Sequence, residues 1–115
     1  MKKFAIGIMV TGLLFAGPAL AKTVSGKFGK PANLRVGDVV RYSDGLNVEL
    51  DSICVASPAV TCANGDSISA RLIYGQGGPV SFIDIGLEHP RVATSNHVYQ
   101  LQSISERSVS LVVTQ

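Results

Sequence analysis

From residue 34 onward, apolar and polar positions alternate with a period of two along most of the chain, and β-branched residues are frequent. This is the pattern of strands buried on one face. Val39, Val40 and Tyr42 predict a short strand opened by a Gly37-Asp38 turn, and Ser43-Asp44-Gly45 is a hairpin turn signal. Leu46, Val48 and Leu50 then point one way and Asn47, Glu49 and Asp51 the other, in a strand that runs through Ile53 into Cys54. Residues 54–66 read as a loop, because Ser57-Pro58 and Asn64-Gly65-Asp66 are turn formers. Ile68, Ala70, Leu72 and Tyr74 alternate with Ser69, Arg71 and Ile73 until Gly75-Gln76-Gly77-Gly78-Pro79 ends the run. Val80 to Ile85 is more uniformly apolar and predicts a central strand.

Residues 86–96 are polar and irregular, and His89-Pro90 interrupts them. In the last unit Tyr99, Leu101 and Ser103 face one way, with Val98, Gln100, Gln102 and Ile104 on the other face. Glu106-Arg107 makes the turn, and Val109, Leu111 and Val113 return. About seven short strands separated by turn signals predict an all-β domain over residues 34–115, a small antiparallel β-sandwich or partly open barrel. Residues 22–33, with Gly26, Gly29 and Pro31, read as a flexible N-terminal arm.

The beginning of the chain follows another rule. Lys2 and Lys3 precede an apolar run from Phe4 to Phe15, Gly17-Pro18 breaks it, and Ala19-Leu20-Ala21 places small residues at a cleavage point. This predicts a secretory signal peptide over residues 1–21, removed to leave a chain that starts at Lys22. The apolar run is shorter than the roughly 20 residues of a membrane span. The leader also changes the charge reading. The whole chain has ten basic and eight acidic side chains, but without Lys2 and Lys3 the remainder balances at eight each. A neutral domain gives no reason to expect nucleic acid or an anionic membrane as a partner.

Export also bears on Cys54 and Cys62. In an oxidising compartment two cysteines are expected to pair, and a closed loop this short contributes about 2.6 kcal/mol on the chain-entropy model. The spacing is too long for a Cys-x-x-Cys site, and no flanking histidine completes a zinc set. His89 and His97, with Asp84 and Glu88 in the same stretch, are the one set that suggests a metal or hydrolytic site. Against it, Pro90 separates the histidines and a loop histidine is more often solvated than ligating. None of the many serines sits in a Gly-x-Ser-x-Gly elbow. The glycines at 75, 77 and 78 lead into Pro79 rather than a helix, so they make no phosphate cradle. No catalytic residue, metal ligand or cofactor site is assigned on this reading.

The C-terminal hairpin, Val98-Tyr99-Gln100-Leu101-Gln102-Ser103-Ile104-Ser105-Glu106-Arg107-Ser108-Val109-Ser110-Leu111, resembles hairpins in small periplasmic domains of pilus and type II secretion machines. That resemblance implies a β-sandwich-like domain that binds other envelope proteins rather than one that catalyses. The expectation is therefore a non-enzymatic binding module of the periplasm or secreted space. It would engage a protein partner in the cell envelope through Val55, Val60 and Thr61 of the disulfide-tied loop. A small hydrolase or metal-binding protein using His89 and His97 with the nearby carboxylates is the alternative.

Overall fold

The computed structural model describes residues 21–115; most of the predicted leader lies outside the described residues. Nine strands form two sheets. They are β1 (Thr23–Ser25), β2 (Ala32–Arg35), β3 (Val39–Arg41), β4 (Asn47–Val55) and β5 (Ile68–Gly75). Then follow β6 (Ser81–Gly86), β7 (Arg91–Ala93), β8 (Val98–Ile104) and β9 (Ser108–Thr114). A five-stranded sheet runs β1-β3-β4-β5-β6, and a four-stranded sheet runs β2-β9-β8-β7. The described residues are all-β, with one disulfide between Cys54 and Cys62.

The alternation read from sequence is what fills the space between the sheets. Val40, Val48, Leu50, Ala70, Leu72 and Ile85 point inward from the larger sheet, and Leu34, Tyr99, Leu101, Val109, Leu111 and Val113 meet them from the smaller one. Packing of this kind makes a core one side-chain layer thick between aligned sheets.

Two bulges keep that layer filled. The register between β4 and β5 shifts between Leu50 and Ser52, so Leu50 faces Leu72 while Ile53 faces Ala70. The register between β8 and β9 shifts between Leu101 and Ser103, so Ile104 faces Val109. Each bulge adds one residue and reverses the face of everything after it. Ile53 and Ile104 thereby pack against the core, and Ser103 pairs with Ser110 instead of pointing inward. Strict alternation had placed Ser103 inside and Ile104 outside. The apolar spacing carries the signal: 46, 48, 50 then 53, and 99, 101 then 104, each with a three-residue step.

Four further expectations are corrected. Residues 22–33 are not a loose arm. They supply β1, which pairs in parallel with β3, and the start of β2, which pairs with β9. The parallel β1–β3 pair also makes the larger sheet mixed rather than wholly antiparallel. Val80–Ile85 is not central, because β6 is an edge strand, with Val80 68% and Phe82 56% exposed. Its apolar run is only half buried: Ile83 and Ile85 turn inward and Phe82 outward. The irregular stretch 86–96 holds β7, pairing Arg91–Ala93 with β8.

The passage from β1 to β2 needs a glycine. A Cβ on Gly26 would lie 2.5 Å from Val40 Cγ2 and 2.7 Å from the Tyr42 ring. That close approach lets Phe28 stack on Tyr42 with ring centroids 4.9 Å apart.

Leu111→Ala is expected to cost about 2–5 kcal/mol in chemical denaturation, as for other buried leucines. Gln102→Ala should stay within about 0.5 kcal/mol. Deleting Gln102 altogether removes the extra bulge residue, leaves Ser103 outward and Ile104 inward, and should preserve a cooperative melt. Deleting Gln100 slides Tyr99 off its register and should abolish that melt.

Candidate functional site

The residues singled out in the sequence fall into three places. Cys54 lies on the outer face of the larger sheet, paired in register with Ser69. Its disulfide partner Cys62 is buried beneath the returning loop, with the two Cα atoms 5.8 Å apart. Between them the chain makes a tight turn. Ser57 and Val60 exchange backbone hydrogen bonds of 3.0 and 3.1 Å around Pro58-Ala59. The Ala56 amide donates to the Ser67 carbonyl at 2.9 Å, and a 3-10 turn, Ala63–Gly65, leads back to β5. Asn64 sits at φ 60°, in the left-handed region that asparagine tolerates better than most residues. The loop is thus held at its base and across its tip.

Val55 and Val60 stand 45% and 46% exposed on this loop, and Thr61 is exposed beside them. Thr61 also lines a dimple of about 200 Å³, with Cys54, Cys62, Ser69, Arg71 and Asp84 around it. The dimple's far wall is a charged pair on the sheet. Arg71 and Asp84 lie opposite each other in the β5–β6 register and make two hydrogen bonds of 3.0 and 3.1 Å. The Arg71 guanidinium also rests 4.2 Å from the centre of the Phe82 ring. Hydrogen bonding to Asp84 raises the Arg71 pKa further, so its charge is permanent. Thr61 and the Arg71–Asp84 pair line one dimple on the outer face of the sheet, whereas Val55 alternates to the other face at the end of β4. The pairing of Arg71 with the Asp84 carboxylate is legible in the sequence. Its signal is the hairpin register: once the turn is centred on 75–80, residue 71 falls opposite 84.

The histidine set does not converge. His89 lies near the start of β5 and pairs through Nδ1 with Asp66 Oδ1 at 2.7 Å. His97 lies at the other end of β5, and its Nε2 pairs with Asp44 Oδ2 at 2.7 Å. Ile68 and Tyr74 mark those ends, about 20 Å apart at strand rise. Glu88 takes hydrogen bonds from the amide and hydroxyl of Ser67, both at 2.8 Å, which hold its carboxyl below the usual range. Asp84 is engaged by Arg71. The two histidines and two carboxylates proposed as a set therefore have four separate partners. Among the described residues, no three His, Cys, Asp or Glu side chains gather to hold a metal ion.

Each histidine pair holds structure. The Asp66 side chain is fully buried and lies over Gly86, where a Cβ would come within 2.9 Å of the Asp66 Cβ. His97 is buried, with its ring 5.9 Å from Phe28 and 6.4 Å from Tyr99. Asp44 accepts the Leu46 amide at 3.0 Å within its own turn and also binds Gln76 at 3.2 Å. Burial pushes the Asp44 carboxyl up, but the hydrogen bonds from His97 and Leu46 outweigh it, and its pKa falls below the ordinary 3.8.

A lowered folded-state pKa stabilises above the unfolded value and is lost as pH falls through the folded one. Asp44→Asn should therefore cost about 1–3 kcal/mol at pH 6. The gap from the unaltered protein should close below about pH 4 in urea titrations. Among the described residues, no helix is long and apolar enough to cross a membrane. No family model, curated protein or solved structure matches this chain.

Proposed function

We propose that this protein is an exported, non-enzymatic binding module that engages a protein partner in the periplasm or cell envelope. The observation that carries this reading is the disulfide-tied loop, which presents Val55 and Val60 to solvent while both its ends are fixed. Apolar side chains on a mobile loop must be ordered on binding, at about 0.5–1.5 kcal/mol per side chain. A loop closed by Cys54–Cys62 and stitched by the Ser57–Val60 bridge meets much of that cost on folding. The neighbouring dimple and the Arg71–Asp84 pair add polar groups around an apolar centre, the arrangement common at protein interfaces. Thr61 joins the two parts, because it belongs to the loop and lines the dimple.

The reading is tested in intact cells. A photo-crosslinking residue at Val60 should give a discrete adduct with an envelope protein. The same probe at Val36, exposed in the β2–β3 turn, should give none. Combining Val55→Ser, Val60→Ser and Thr61→Asp should abolish the adduct from a probe placed at Phe82 while leaving the melting temperature nearly unchanged. Adducts that survive this triple change, but disappear with His89→Ala and His97→Ala together, would move the site to the histidines. Replacing both Cys54 and Cys62 with Ser should lower stability by about 2–3 kcal/mol and weaken capture beyond the fraction unfolded.

A further inference from the structure

Asp38, at 2% exposure in the turn from β2 to β3, is one of two buried acids among the described residues, the other being Asp66. The Asp38 carboxylate takes one hydrogen bond from the Arg35 amide and one from the main-chain nitrogen of Lys22, each 3.0 Å long. No side chain among the described residues forms an ion pair with it. The main-chain donors and the charges of Lys22 and Arg35 keep this carboxylate ionised, and a formal charge on one of those donors would strengthen its bond. Lys22 is fixed on its other side as well, because its carbonyl accepts the Val39 amide at 2.9 Å. Its nitrogen is thus held against Asp38 by β1–β3 pairing itself.

We propose that Asp38 is a seat for the α-ammonium group of a chain that begins at Lys22, so that removal of the leader tightens the fold. This rests on the reading of residues 1–21 as a cleaved signal. Before cleavage the Lys22 nitrogen is a neutral amide. Hydrolysis of the Ala21–Lys22 bond by water leaves a carboxylate on Ala21 and an amine on Lys22, which binds a proton at neutral pH. The hydrogen bond to Asp38 then becomes charge-assisted, and such bonds are roughly twice as strong as neutral ones. A precursor that holds only the neutral form of this bond is less stable, which suits a chain that must cross a membrane before it folds.

The charged groups around Asp38 are Lys22 and Arg35, and both favour its ionised form. Burial pushes the carboxyl up, but the donors from Arg35 and Lys22 bring its pKa below 3.8 on balance. Two titrations therefore bound the effect. The amine, raised above its ordinary value of about 7.7–8.0, contributes below that value and is lost as pH rises through the folded pKa. The carboxylate contributes above its unfolded pKa and is lost as pH falls through the folded one.

The test uses residues 22–115 made with a free amine and the same chain N-acetylated at Lys22. Acetylation keeps the N–H donor and removes the charge. The free amine should melt about 5 °C higher at pH 6, with the difference gone near pH 10 and in Asp38→Asn. Equal melting at pH 6, or a difference that persists in Asp38→Asn, would overturn the proposal. Should Asp38→Asn fail to fold, NMR titration of the amine in the unaltered chain decides it. A pKa clearly above 8 supports the seat, and an ordinary value refutes it. Intact mass of the exported protein tests the cleavage point separately. A start elsewhere would remove the biological premise without touching the amine measurement.

Discussion

Three aspartates in turns hold the two sheets to each other, and the rest of the structure depends on them. A sandwich this small has open ends, and main-chain groups there must find partners or stay wet. Asp38 joins the start of β1 in one sheet to the end of β2 in the other through Lys22 and Arg35. Asp44, in the β3–β4 hairpin, reaches His97 in the turn between β7 and β8. Asp66, before β5, meets His89 where the chain leaves β6 for β7. Each carboxylate thus sits at a crossing between sheets or spans one, and each has at least one partner sixteen or more residues away in sequence. Hydrophobic burial brings the sheets together without fixing their relative position, whereas directional bonds of this kind select one position.

The strands were legible because a one-layer core imposes period two on both sheets. Leu46, Val48 and Leu50, Ala70 and Leu72, and Val109, Leu111 and Val113 all lie where alternation puts them, buried. The errors have one cause. Alternation describes a strand and says nothing about its neighbours. The apolar run of β6 suggested burial on both faces, yet only Ile83 and Ile85 meet the core. The arm looked loose because β1 and β2 are three and four residues long, too short for a period to show. Their order comes from pairing with β3 and β9, contacts that no local pattern carries.

The candidate site divides in the same way. The Cys54–Cys62 bridge followed from the cysteine count and the compartment, and the structure contains it. The partners of the histidines did not follow, because Asp66 and Asp44 lie 23 and 53 residues away from His89 and His97. The carboxylates near the histidines in sequence, Asp84 and Glu88, answer to Arg71 and Ser67 instead. Nearness along a strand-rich chain is a poor guide to nearness in space, since consecutive residues on a strand face opposite sides.

The edge at β6 shows how an outward apolar side chain is covered within the fold. An exposed edge with an outward phenylalanine invites strand pairing with other chains. Here the Arg71 guanidinium lies over the Phe82 ring, and Asp84, two residues on along the edge, holds Arg71 in place. The apolar face is thus covered by a charge that can be displaced, since both Arg71 and Phe82 are exposed and the interaction contributes about 0.5–1 kcal/mol in such settings. A partner that offers Arg71 a new acceptor, or Phe82 a better neighbour, replaces a weak internal contact with a stronger external one. A second copy of this chain brings another Arg71 and another Asp84 to its own edge, and it must strip water from both charged pairs to dock edge to edge. The same three side chains therefore oppose edge-to-edge pairing of two copies at β6.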